Sequence, residues 1–184
     1  MTRPHMITII LFVSFLFFGV GFEAQAQNEL KVGDIAPNFT LPYATRDSIS
    51  RSPVCLSDFL GKRIVIVAFY PADWSTGCTK EVCMMRDNFA AMESLETEVL
   101  AISGDYVWSH HEWAKVHNLP FKLVSDHAHF VAALYGSFNE KSLYNKRTVF
   151  VVDTRGKIAY LNMKYSTADL QDFEKLKSAI VDLK

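Results

Sequence analysis

Three observations in the sequence predict an α/β fold with a central mixed β-sheet flanked by helices. First, residues 63–70 and 98–103 are largely apolar, β-branched runs separated by a segment with helical periodicity. Such runs suit strands that are buried on both faces of a parallel sheet. Second, residues 148–153 and 158–162 flank Thr154-Arg155-Gly156-Lys157, the pattern of a β-hairpin with a glycine-bearing turn. Third, 184 residues at 49% hydrophobic composition are enough for one domain with its own core.

The elements follow in order. The first 26 residues stand apart. A short start holding Arg3 precedes an uncharged apolar run over residues 6–22, and Glu23-Ala24-Gln25-Ala26 places small residues where an export peptidase reads. This predicts a secretory signal cut after Ala26, with residues 27–184 as the exported domain, periplasmic or extracellular. The apolar run also approaches spanning length, so an uncleaved membrane anchor holding the domain outside the cytoplasm is the alternative. Residues 38–41 form a candidate short strand, residues 43–53 a polar loop, and residues 56–62 a helical turn stopped by Gly61. After the strand at 63–70, a helix is expected over residues 79–97. There Val82, Met85, Phe89, Met92 and Leu95 recur at steps of three and four as one apolar stripe. A helix over 107–117, with Trp108, Trp113 and Val116 available for packing, leads to a short strand at 123–124 and a helix over 128–135. The hairpin and a helix over 168–183 close the chain. Parallel strands first, then a hairpin and a helix, describe a thioredoxin-like sheet.

The formal charge of −1 gives no ground for a nucleic-acid partner. The three cysteines are Cys55, Cys78 and Cys83. An odd number outside the cytoplasm leaves at least one thiol without an internal partner, and so few do not hold a fold together.

The chemistry concentrates in Pro71-Ala72-Asp73-Trp74-Ser75-Thr76-Gly77-Cys78-Thr79-Lys80-Glu81-Val82-Cys83, where a strand gives way to a helix. A helix N-terminus favours a thiolate over a thiol. A hydroxyl at Ser75 can hydrogen-bond the Cys78 sulfur or a peroxide beside it, and Pro71 can shield the sulfur from water. Blander readings fit the same residues: two core cysteines, a helix cap at Ser75, a strand terminator at Pro71. Zinc would need two further ligands at suitable spacing, and His127-x-His129 reads as a polar helix start. In an intact helix, positions five apart are separated by about 7.5 Å along the axis and about 140° around it. Cys78 and Cys83 therefore pair only if the first helical turns unwind.

With these residues the chain resembles the peroxiredoxins, the alkyl hydroperoxide reductase C/thiol-specific antioxidant superfamily. It is most similar to the bacterioferritin-comigratory, or peroxiredoxin Q, branch. Gly77-Cys78-Thr79-Lys80-Glu81-Val82-Cys83 carries the resemblance, with Val32-Gly33-Asp34-Ile35-Ala36-Pro37, Leu119-Pro120-Phe121-Lys122-Leu123-Val124-Ser125-Asp126 and Arg147-Thr148-Val149-Phe150 in matching order. The resemblance implies Cys78 as the peroxidatic cysteine and Cys83 as the resolving one. Ser75 and Pro71 fill the motif hydroxyl and motif proline. Arg147 is implied as the arginine that favours the thiolate and polarises the peroxide, and Glu81 as the glutamate that orients it; without the resemblance, Arg147 reads as a solvated strand-end charge and Glu81 as a favourable first-turn acid. Also implied are a hydroperoxide substrate, a thioredoxin-like dithiol reductant, no metal or other cofactor, and a monomer or weak homodimer. Thr76 and the bulky Trp74 depart from the branch's pattern, and Cys55 matches no functional position. Two other activities remain open at this point: an exported thiol–disulfide oxidoreductase, which would use Cys-x-x-Cys, and a peroxide-sensing relay with negligible turnover.

Overall fold

The computed structural model describes residues 29–184. The expected signal peptide or anchor lies outside the described residues. The chain runs β1 (Thr40–Leu41), β2 (Tyr43–Ala44), β3 (Val54–Cys55), a 3₁₀ turn (Leu56–Phe59), β4 (Ile64–Phe69), α1 (Thr76–Asp87), α2 (Phe89–Ser94), β5 (Thr97–Ser103) and α3 (Val107–His117). It continues through β6 (Lys122–Ser125), α4 (Phe130–Leu134), β7 (Phe138–Asn139), β8 (Tyr144–Asn145), β9 (Thr148–Val152), β10 (Ile158–Asn162) and α5 (Leu170–Val181).

Six strands make the main sheet in the order β10-β9-β4-β5-β6-β2. β4, β5 and β6 are parallel, while β9, β10 and β2 run antiparallel to their neighbours. The mixed sheet and terminal hairpin are therefore as the sequence predicts. Every residue of β4, β5 and β9 is buried, because helices or loops cover both faces. The pleat divides them: Ile64, Ile66, Ala68, Val99 and Ala101 pack under α1, α2, α3 and α5. Val65, Val67, Phe69, Leu100 and Ile102 pack under α4 and the N-terminal strands. Each fully buried Val, Ile or Leu contributes about 1.5–3 kcal/mol, so the two layers carry much of the hydrophobic stabilisation.

Several expectations are corrected. The helix expected over 79–97 begins earlier, at Thr76, because Ser75 caps it. It also breaks at Asn88, whose side-chain Nδ2 donates to the Met84 carbonyl (2.9 Å) and competes with the helical ladder. Its apolar stripe survives the break, with Val82, Met85 and Met92 in the core and Phe89 and Leu95 against it. The polar loop expected over 43–53 contributes β2 as an edge strand on β6, and residues 54–55 pair with β1. On α3, Trp113 is fully buried, but Trp108 and Val116 are 67% and 65% exposed. The face turned inward carries His110, Trp113 and Ala114 instead. The helix expected over 128–135 shortens to α4, since His129 takes a left-handed conformation (φ 56°) at its start.

Candidate active site

Register brings the site together. β9 lies beside β4 with Thr148 opposite Phe69, so Arg147, just before β9, reaches the end of β4 where the chain turns into α1. Pro71 follows Tyr70 at that strand end and is half-buried. Ser75 is the N-cap of α1, and its Oγ accepts from the Cys78 backbone N–H (3.3 Å). One serine thus satisfies an orphan donor of the first turn at the residue that bears the sulfur.

Cys78 is fully buried. Its Sγ lies 3.4 Å from Nη2 of Arg147, whose Nη1 donates to Glu81 Oε2. Burial pushes Arg147 down, but Glu81 and the Cys78 sulfur outweigh it and hold the guanidinium above its ordinary pKa. Arg147 is therefore a fixed positive charge against the sulfur, and the reading of a solvated strand-end charge does not hold. Gly77 opens the segment that carries the resemblance, but the sequence assigns it no role, and the structure does. A Cβ there would stand 3.2 Å from Arg147 Nη2, so only glycine leaves the guanidinium its full approach over the first turn.

Glu81 is 2% exposed, and its Oε1 has no hydrogen-bond partner among the described residues. Burial raises its pKa to about 7, against the pull of Arg147. Between the ordinary carboxyl value of 4.5 and about 7, the folded protein holds a proton here that the unfolded chain has released. The stability due to this group is therefore greatest below that window and is lost as pH rises through it. Thermal unfolding should show the wild type gaining on Glu81→Gln as pH falls from about 8 to about 5. Parallel pH curves for the two proteins would mean that Glu81 is ionised throughout.

Cys83 lies in the same unbroken helix as Cys78 and is half-buried, and both are free thiols. Contact thus joins Ser75, Cys78, Glu81 and Arg147; Pro71 flanks them, and Cys83 stands apart. Cys55 is in β3, away from this cluster, where hydrogen bonding to Ser57 Oγ (3.0 Å) and its neighbours lowers the thiol pKa. His127 and His129 go to separate partners: His127 Nδ1 to the Gly104 carbonyl, and His129 Nδ1 to Asn145 Oδ1. Arg147 also lines a cavity of about 820 Å³ with apolar walls from Leu134, Leu161 and Met163 and with Lys146 and Lys164.

Known proteins resemble this chain in sequence and fold. The model of the AhpC/TSA family matches residues 32–161. The chain is 36% identical over 151 residues to "Peroxiredoxin Bcp" of Escherichia coli (strain K12), covering 79% of this chain and 93% of that protein. It is 40% identical over 136 residues to "Peroxiredoxin Q, chloroplastic" of Oryza sativa subsp. japonica, covering 70% of this chain and 57% of the rice protein. Among solved structures, peroxidoxin BcpB from Mycobacterium tuberculosis superposes with a TM-score of 0.75 at 29% identity, over 85% of this chain and 99% of that one. PrxQ from Xylella fastidiosa, at 21% identity, shares the fold with a TM-score of 0.74 over 85% and 99% of the two chains. The family match spans most of the chain, and the buried cysteine, its capping serine and its arginine lie within it: the protein belongs to the AhpC/TSA family, alongside the Bcp and Q-type peroxiredoxins.

Proposed function

We propose that this protein is a thiol-dependent peroxidase that reduces hydrogen peroxide and organic hydroperoxides. The observation that carries the reading is the buried Cys78 sulfur 3.4 Å from an arginine that Glu81 holds in place. The Cys78 thiolate attacks the terminal oxygen of the hydroperoxide. The O–O bond breaks, the sulfur becomes a sulfenic acid, and the leaving oxygen departs as water or an alcohol. Arg147, Ser75 and the first-turn N–H groups stabilise the charge moving onto that oxygen. Cys83 then attacks the sulfenic sulfur after α1 unwinds, releasing water, and a thioredoxin-like dithiol reduces the disulfide by exchange.

The spacing of four residues between the cysteines, and the peroxiredoxin names of the relatives, weigh against a Cys-x-x-Cys oxidoreductase. The apolar run ahead of Ala26 supports action outside the cytoplasm, as a cleaved or membrane-anchored protein, so that a dithiol in the same compartment serves as reductant. We take the working unit to be a monomer or weak homodimer. The test is steady-state assay of the purified protein with hydrogen peroxide and a dithiol. Many turnovers are expected; a single stoichiometric burst with an intact reductant would favour a relay instead.

The Gly77 contact adds a prediction. Gly77→Ala should displace Arg147 by a few tenths of an ångström and slow the peroxide step several-fold in stopped-flow oxidation. A wild-type rate constant would show that the arginine's close approach is not needed.

A further inference from the structure

Asp73 stands in the middle of the loop from β4 to α1, and its side chain is closed off from solvent. Its Oδ1 accepts from the Tyr70 hydroxyl (2.8 Å), and its Oδ2 accepts from Ser109 Oγ (2.7 Å) and His110 Nδ1 (2.9 Å). A carboxylate only accepts, so His110 carries its hydrogen on Nδ1. The Asp73 backbone N–H donates to Asp105 Oδ2 (2.8 Å), which also accepts from Ser103 Oγ (2.7 Å). One loop residue is thereby tied to the ends of β4 and β5 and to α3. The tie continues to the sulfur. The Ser75 N–H donates to the Asp73 carbonyl (2.8 Å), and Ser75 in turn caps α1 at Cys78. Between them Trp74 holds φ at 60°, a costly conformation for a bulky side chain, with its Nε1 donating to Ser109 Oγ (3.1 Å).

We propose that the Asp73–His110 pair is an anchor that keeps α1 wound at Cys78 and so sets how fast Cys83 reaches the oxidised sulfur. The proposal rests on the thiol-peroxidase reading above. In the step concerned, the Cys83 thiolate attacks Sγ of the Cys78 sulfenic acid. The S–S bond forms, the S–O bond breaks, and the departing hydroxide combines with the proton that Cys83 gave up. That attack draws on a minor, unwound population, whereas peroxide attack uses the major, wound one. Weakening the anchor multiplies the minor population and scarcely depletes the major one, so the two steps respond differently. Asp73 and His110 are positioning residues: they act on Cys78 through Ser75.

The test follows both steps in the mature protein by stopped-flow tryptophan fluorescence, with alkylation and mass spectrometry on quenched samples. His110→Leu removes the donor at similar volume, while His110→Asn keeps an N–H near the Nδ1 position. In His110→Leu, disulfide formation should accelerate roughly three- to tenfold. The peroxide step should stay within about twofold, and less Cys78 should be overoxidised to sulfinic acid by a second peroxide. His110→Asn should return all three readouts toward wild type. Unchanged or slower disulfide formation in His110→Leu overturns the proposal. So does a parallel fall of both rates, which is what a general structural defect produces. If His110→Leu does not fold, Ser109→Ala removes one bond of the same network and should move the rates in the same direction; wild-type rates there overturn the anchor. A wild type that forms no Cys78–Cys83 disulfide would instead remove the peroxidase cycle itself, and the anchor's role with it.

Discussion

Cys78→Ser is expected to abolish peroxide reduction, while Cys83→Ser should keep one fast oxidation per chain and lose recycling. The contrast follows from where the two sulfurs sit. Cys78 is at the first turn of α1, under Arg147 and capped through Ser75, so its sulfur is held against a fixed positive charge. A serine hydroxyl in the same place cannot be oxidised by peroxide. Cys83 is about 1.4 turns further along and half-buried, and it is expected to take no part in the first step. Without it the sulfenic acid persists, to be trapped by a sulfenic-acid reagent or overoxidised. Peroxide consumption and mass spectrometry of quenched samples read both outcomes. Normal recycling by Cys83→Ser would transfer the resolving role to Cys55 or an external thiol.

Arg147→Ala should slow the peroxide step by about a hundredfold, the usual cost of removing one donor aimed at developing charge. The loss is compounded by burial. Glu81, 2% exposed, would be left with neither of its oxygens paired among the described residues. Stopped-flow oxidation is the measurement, and an unchanged rate constant would take Arg147 out of the site. Arg147→Lys should recover only part of the rate, since an ammonium cannot bridge Glu81 and the sulfur as a planar fork does.

Much of this site is visible in the sequence because it is local. Ser75, Cys78 and Glu81 recur at steps of three, which keeps them on neighbouring faces of one helix start. Their place after an apolar β-branched run locates that start at the end of a buried strand. Arg147 is 69 residues from Cys78, and only the family resemblance links the two. Gly77 and the Asp73–His110 pair escape sequence reasoning for a related reason. An aspartate in a polar loop reads as solvated, and nothing local says that a histidine 37 residues away will bury it. Likewise Trp108 and Trp113 are equally apolar by composition. The direction in which α3 meets the sheet decides that only Trp113 is buried. The break at Asn88 is a local competition between side chain and backbone that the apolar stripe masks.

The central claim is that the buried Cys78 sulfur at the start of α1 is oxidised there and is then reached by its neighbour once the helix unwinds. Its most direct test is to expose the reduced protein briefly to one equivalent of hydrogen peroxide, alkylate it, and map the cysteines by mass spectrometry. The predicted result is a Cys78–Cys83 disulfide with Cys55 alkylated. Recovery of Cys78 and Cys83 as separately alkylated thiols would contradict the account.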